Sequence, residues 1–266
     1  MKRNGPILSL TSILLYCFMY TPIVVVAIFS FNASKYGVAW KGFTTKWYGV
    51  LFNNEQALRA AENTLILASA SAAIATLLGT LLGYGLSRYW FPRKKFVATL
   101  MYVPVVIPDI LMAVALLMFY GLMRDALGIF ELGLSTMIFA HITFQIAFVA
   151  VVVKARMVGM DPALEEAARD LGANRWNVFW RITFPLMFPG IMSGALLAFT
   201  LSLDDFVVSF FTSGPGSTTL PILIYSSVKR GITPDINALS TLMVCASVLL
   251  VAGVTALQPR KNYHEK

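Results

Sequence analysis

Charge is what this sequence has little of. Asp, Glu, Lys and Arg together make up 13% of its 266 residues, about half the share of an ordinary soluble domain. That excludes a soluble catalytic domain, because the polar surface needed to solvate one is missing. Cysteine is nearly absent too. Cys17 and Cys245 are the two present, and both fall within apolar runs, where cysteine is a small packing residue with no redox or metal message. No glycine-rich stretch ends in Gly-Lys-Ser/Thr, which excludes a nucleotide-hydrolysing phosphate loop. The Gly-x-Gly-Asp signature of an intramembrane aspartyl protease is missing as well. There is no long-period repeat and no low-complexity tract.

Apolar length is what the sequence has in abundance. Hydrophobic residues are 58% of the chain and the mean hydropathy is +0.72. Six runs, at 8–31, 64–86, 96–120, 134–153, 187–211 and 237–257, each approach or exceed the roughly 20 residues that cross a bilayer. Backbone groups in lipid must satisfy one another, so the runs are helices. The expected fold class is an all-α integral membrane protein, a single domain over 1–266 with six transmembrane helices. The first run follows Met1-Lys2-Arg3 and is too long for a signal-peptide core, so it reads as an uncleaved first helix.

A net charge of +8 reflects orientation rather than nucleic-acid binding. One set of connecting segments holds Lys2, Arg3, Arg88, Arg93, Lys94, Lys95, Lys154, Arg156, Arg169, Arg175, Arg181, Arg260, Lys261 and Lys266. The other holds half as many: Lys35, Lys41, Lys46, Arg59, Arg124, Lys229 and Arg230. Basic residues accumulate on the cytoplasmic side, so both termini are expected there.

Three acids fall at membrane depth: Asp109, Asp204 and Asp205. Each ionised carboxylate near the bilayer centre costs about 2.5–3.5 kcal/mol on insertion scales. At 1.5 Å per residue, Asp109 stands about 20 Å and the Asp204 pair about 26 Å above the inner ends of their helices. Ser202, Asp205 and Ser209 share one helical face, and Asp204 points about 100° away from Asp205. Such acids call for a proton, a metal ion, a basic partner subunit or a cationic substrate, or else for a protonated, hydrogen-bonded role in packing. Pro104 and Pro108 are expected to kink the third helix beside Asp109. His141 and Gln145 share a face of the fourth, either as interhelical hydrogen-bonding groups or as a proton relay. Gly79, Gly83 and Gly85 suit close helix packing.

Two outer loops stand out. The first carries Tyr36, Trp40, Lys41, Lys46, Trp47 and Tyr48. Trp47 either anchors the chain in the aromatic belt or faces an entrance for a cationic solute. The last, 212–236, contains Gly214-Pro215-Gly216-Ser217-Thr218-Thr219, expected to form a tight turn.

The inner segment 158–185 has the grammar of a soluble protein. Asp161 can cap a helix that Pro162 opens, Glu165 and Glu166 sit at its positive end, and Gly172 is placed to end it. Asn174 can cap a second short helix over 175–183, which runs into Pro185. The result is an elbow at the membrane surface, lying on the lipid or docking a protein.

At the elbow the residues resemble a family. Glu166-Ala167-Ala168, Gly172, Ile182 and Pro185 match, in type and spacing, the EAA loop of binding-protein-dependent ABC importer permeases. Phe184 stands where that pattern has leucine, and a slightly looser packing is expected there. Phe43–Tyr48, Pro108-Asp109-Ile110, Ser202-Leu203-Asp204-Asp205 and 234–239 resemble permease subunits of spermidine/putrescine importers. The resemblance implies the type I importer fold in a bacterial inner membrane. It also implies a second homologous permease subunit, two copies of a cytoplasmic ATPase that uses ATP and Mg, and a periplasmic polyamine-binding protein. This chain would then hydrolyse nothing and hold no cofactor. Glu166, Ala167, Ala168, Gly172, Ile182 and Pro185 would couple it to the ATPase.

A polyamine pathway fits the residues. A thin polycation needs spaced carboxylates and aromatic faces, here Asp109, Asp204 and Asp205 with Ser202, and Trp47 for a cation–π contact of about 0.5–2 kcal/mol. The rivals are a permease for another small cationic solute and a proton-coupled secondary carrier built on Asp109, His141 and the Asp204 pair.

Overall fold

A computed structural model of the chain describes residues 5–35, 39–231 and 233–257. In chain order its helices are α1 (Gly5–Phe29), α2 (Lys46–Phe52), α3 (Glu55–Arg88), α4 (Lys94–Val106), α5 (Asp109–Leu127), α6 (Leu134–Val158), α7 (Ala163–Asp170), α8 (Arg175–Val178), α9 (Phe184–Leu203), α10 (Val207–Thr212), α11 (Leu220–Arg230) and α12 (Pro234–Leu257). A π-turn over Phe179–Thr183 joins α8 to α9 without a break. Lys2, Arg3, Tyr36, Arg260, Lys261 and Lys266 lie outside the described residues. Among the described residues, five helices are long and apolar enough to cross a membrane. The sixth expected run lies in α12, whose described apolar stretch, Pro234–Leu249, is shorter.

The chain divides into two compact units. In the first, residues 1–58 and 223–266, α12 packs against both α1 and α2. The loop before α2 is organised by Asn32. Its side chain donates to the Ala39 carbonyl at 2.9 Å and accepts from the backbone N–H groups of Ser34 and Lys41.

The second unit, residues 59–222, is built around α6. Of the apolar window of α6, 61% is buried, against 33% or less for the other candidate spans, so α6 is the core helix. Val149, Val153 and Met157 of α6 form a cluster with Ala72 of α3 and with Met187 and Ala198 of α9. A second cluster joins Ala113 and Tyr120 of α5 and Val208 of α10 to Ala140 and Phe144 of α6. The expectation of small-residue packing in α3 holds at two of its three glycines. A Cβ at Gly79 would meet the Val149 side chain at 2.6 Å, and one at Gly83 the Ala150 carbonyl at 2.8 Å. Gly85 has open space around it.

Two runs expected to be continuous are not, and one expected loop is largely helical. The run 96–120 is two helices, because Pro108 cannot donate to the α4 ladder and holds Ile107 extended at φ −66°, ψ 131°. Pro104, by contrast, stays inside α4. The run 187–211 breaks at 204–206 between α9 and α10. There the Asp205 carboxylate accepts from the N–H groups of Val208 and Ser209, and such local bonds compete with helix continuation. The segment 212–236 is helical over α11 and from Pro234 onward, which confines the irregular part mainly to 213–219. That part turns tightly, as its glycines suggest: the Ser217 hydroxyl accepts from Gly214 N–H at 2.8 Å.

Candidate functional site

The polar groups at membrane depth converge on the α9–α10 break. His141 of α6 is fully buried. Its Nδ1 lies 2.7 Å from the Ser202 hydroxyl and its Nε2 3.0 Å from that of Ser209. Nε2 is also 3.3 Å from Asp205 Oδ2. Nδ1 thus faces one hydroxyl, and Nε2 a second hydroxyl and a carboxylate, so both ring nitrogens are engaged. One turn along α6, Gln145 Nε2 donates to Ser71 Oγ at 3.2 Å and to the Ala198 carbonyl at 3.1 Å. His141 and Gln145 are therefore interhelical hydrogen-bonding groups.

The expected grouping of Ser202, Asp205 and Ser209 is present, but it is held across a broken helix rather than along a continuous one. It also changes what Asp205 offers. Both of its oxygens are engaged, on the first turn of α10 and on His141. Asp204 caps the end of α9 and is exposed. Asp109 is the first residue of α5, beyond the Pro108 break, and is exposed too. The two open carboxylates at membrane depth thus stand beside two helix breaks. Trp47, in the other unit, is 6% exposed. Its indole N–H donates to the Asn32 carbonyl at 2.8 Å, and the Lys46 ammonium lies 4.6 Å from its ring centre. It is a buried anchor of its loop; the open aromatic face expected for a solute is not what the packing presents.

The elbow is folded as its residues dictate. Asp161 accepts from Ala163 N–H at 2.9 Å, which starts α7. Gly172 ends it with φ +85°. The N–H of Ala173 then reaches the Ala168 carbonyl, and that of Gly172 the Arg169 carbonyl, the complete Schellman pair. Asn174 accepts from Asn177 N–H at 2.8 Å and starts α8. The expected second helix over 175–183 is one α-turn followed by the π-turn, continuous with α9. Glu166, Ala167 and Gly172 are exposed, Ala168 and Ile182 half-buried, and Pro185 exposed at the start of α9. Leu171, between them, is 89% exposed. This is an outward face on a rigid frame, suited to receiving a protein. Phe184 does not loosen it. Its ring lies 5.0 Å from Trp180 and 5.9 Å from Phe188, contacts worth about 0.5–1.5 kcal/mol each.

The sequence reading gave Glu165 only a place at the positive end of α7, and the structure gives it partners. Glu165, beside the exposed Glu166, is 8% exposed. Its Oε1 accepts from Arg88 Nη2 and from Thr183 Oγ1, each at 2.8 Å. Arg169 lies 3.5 Å from its other oxygen. The apolar–polar pattern of α7 offered a signal, since Glu165 falls opposite the exposed turn, but Arg88 read as one flanking charge among several.

A family model described as the inner membrane component of binding-protein-dependent transport systems matches residues 75–260. The chain belongs to that family. It is 44% identical over 237 residues to the spermidine/putrescine transport system permease protein PotC of Escherichia coli K12, covering 89% of this chain and 88% of that one. To the putrescine transport system permease protein PotI of the same organism it is 42% identical over 233 residues, covering 87% and 83%. Its fold matches a chain of a bacterial ABC transporter that imports the acidic polysaccharide alginate, with a TM-score of 0.74 at 22% identity, covering 96% and 94%. The fold is that of type I ABC importer permeases. As a binding-protein-dependent permease, the chain is a multi-pass inner-membrane protein and a transport subunit rather than an enzyme; ATP is hydrolysed by a separate subunit. The proton-coupled carrier reading is set aside by this membership.

Proposed function

We propose that this chain is a pathway subunit of a polyamine importer, carrying spermidine or putrescine into the cytoplasm. The observation that carries the reading is the 44% identity with a spermidine/putrescine permease over most of both chains. The exposed carboxylates of Asp109 and Asp204 support it. Each stands at a helix break, where a polycation shedding water would find negative charge. Asp205 and Ser202 hold the break in shape through His141 and act on the substrate indirectly.

The whole chain serves as one permease domain with both termini in the cytoplasm. It pairs with a second homologous permease, two copies of a cytoplasmic ATPase that use ATP and Mg, and a periplasmic polyamine-binding protein. It needs no cofactor of its own. The face of Glu166, Ala167, Ala168, Gly172, Ile182 and Pro185 docks the ATPase and passes its closure on as alternating access. Uptake of labelled putrescine and spermidine by proteoliposomes containing the complete complex tests the reading. ATP-dependent uptake competed by either polyamine is the expected result. Uptake of a different solute, indifferent to excess polyamine, would refute the cargo.

A further inference from the structure

We propose that Arg88 and Glu165 form a strut through which the elbow drives α3, and that α3 carries the movement to the loop at 213–219 on the opposite side of the membrane. The inference rests on the elbow being the ATPase dock.

The chain itself links the elbow to only two membrane helices. Residues 159–162 join it to α6, and α8 with the π-turn joins it to α9. The helix α3 has no such link, being 77 residues away at the point of contact. It is reached by an edge-to-face contact of Tyr84 with Phe179, ring centres 5.6 Å apart, and by the Glu165 carboxylate. One oxygen of that group receives the guanidinium of Arg88, the last residue of α3, and the hydroxyl of Thr183, just before α9. The side chains of Arg88 and Glu165 are 20% and 11% exposed, so water and salt screen the pair weakly. A single carboxyl group thus ties α7, α3 and the root of α9 together.

From that point α3 is bonded at two further depths. Near its middle Ser71 accepts from Gln145 and lies 3.4 Å from Ser202 at the α9 end. At its outer part Asn63 Nδ2 donates to the carbonyls of Gly216 and Thr218, at 2.9 and 3.0 Å. Thr64 Oγ1 accepts from Leu220 N–H at 2.8 Å. Asn63 and Arg88 are about 38 Å apart along an unbroken helix at 1.5 Å per residue. A displacement of α7 therefore has a stiff route to the far loop that avoids both breaks, at Pro108 and at 204–206. It reaches that loop whether or not α9 bends.

The test uses the complete complex in proteoliposomes, with Cys17 and Cys245 replaced and Pro215→Cys labelled with an environment-sensitive fluorophore. Glu165→Gln, Glu165→Arg, Arg88→Glu and the double swap Arg88→Glu/Glu165→Arg are compared. Readouts are ATPase co-purification, the fluorescence response to a non-hydrolysable ATP analogue, and polyamine taken up per ATP hydrolysed. The ATPase is expected to stay bound in all four, because the exposed docking face is untouched. Either charge reversal alone should abolish the fluorescence response and lower uptake per ATP about tenfold, as expected for a broken, partly buried pair. The double swap should recover a large part of both. Glu165→Gln, which keeps the Thr183 bond, should fall between. A full fluorescence response in either single reversal would overturn the strut, as would loss of ATPase binding in the Glu165 variants or no recovery in the double swap. A Gly172→Val complex that still binds ATPase normally would instead overturn the docking reading, and failure of the parent complex to take up polyamine would overturn the cargo.

Discussion

The elbow turn at Gly172 permits a graded test of docking. Its φ is +85°, and a Cβ added there meets nothing within 4 Å. Substitution therefore introduces no clash, and the cost is conformational alone. For an L-residue in the left-handed region that cost is about 1–2 kcal/mol, with asparagine tolerating it best. β-Branched side chains tolerate it worst. If α7 keeps its Schellman end only when Gly172 stays left-handed, the docking-competent elbow loses population by about 5–30-fold across that range. The expected order is Gly172→Asn mildest, Gly172→Ala intermediate and Gly172→Val most severe. Titrating ATPase onto the purified permease pair and reading the dissociation constant gives the populations directly. Uptake should follow the same order. Equal affinities for the asparagine and valine variants would refute the reasoning, since both add a side chain to open space and differ only in tolerance of that backbone. A loss in all three with no ordering would point to a side-chain contact with the partner instead.

Replacing His141 with leucine leaves Ser202, Ser209 and Asp205 without their common partner. Unsatisfied buried polar groups cost about 1–3 kcal/mol each, so a clear fall in the melting temperature of the purified complex is expected, with His141→Gln milder. Asp204→Asn should raise the polyamine concentration for half-maximal uptake without changing the melting temperature, whereas Asp205→Asn should lower the melting temperature; the reverse pattern in uptake and melting assays would exchange their roles. Trp47→Phe removes the bond to the Asn32 carbonyl, a loss of about 1 kcal/mol, and should lower thermal stability while leaving the half-maximal polyamine concentration in place.

The elbow was legible in the sequence nearly residue by residue. Its signals are local: Asp161, Gly172 and Asn174 act on backbone groups within a few residues, and each was found bonded as its type requires. The membrane-depth acids were legible as a group and misread as individuals. Periodicity put Ser202, Asp205 and Ser209 together correctly, yet an ideal helix carried through 204–206 hid the capping bonds of Asp205 and the exposure of Asp204. The break at Pro108 was hidden for a related reason, since a proline in a long apolar run is compatible with a kink as well as a stop. Partners distant in sequence left the least trace. Nothing near Glu165 marks Arg88 as its companion, and nothing near Trp47 marks Asn32 as the acceptor that keeps its ring indoors.

The π-turn at Phe179–Thr183 sets a limit on length. A π-turn is one residue more than an α-turn can hold. Deleting a single residue here would let the segment close into a regular α-helix, and the rod from α8 through α9 would remain intact. Because the wider turn spends its extra residue on about the same arc, the two flanks would keep their relative azimuth. The same deletion one turn into α9, where no bulge absorbs it, would rotate the elbow by about 100° against the membrane helix. The π-turn is thus the one place on this rod where a residue can be lost without turning the cytoplasmic face.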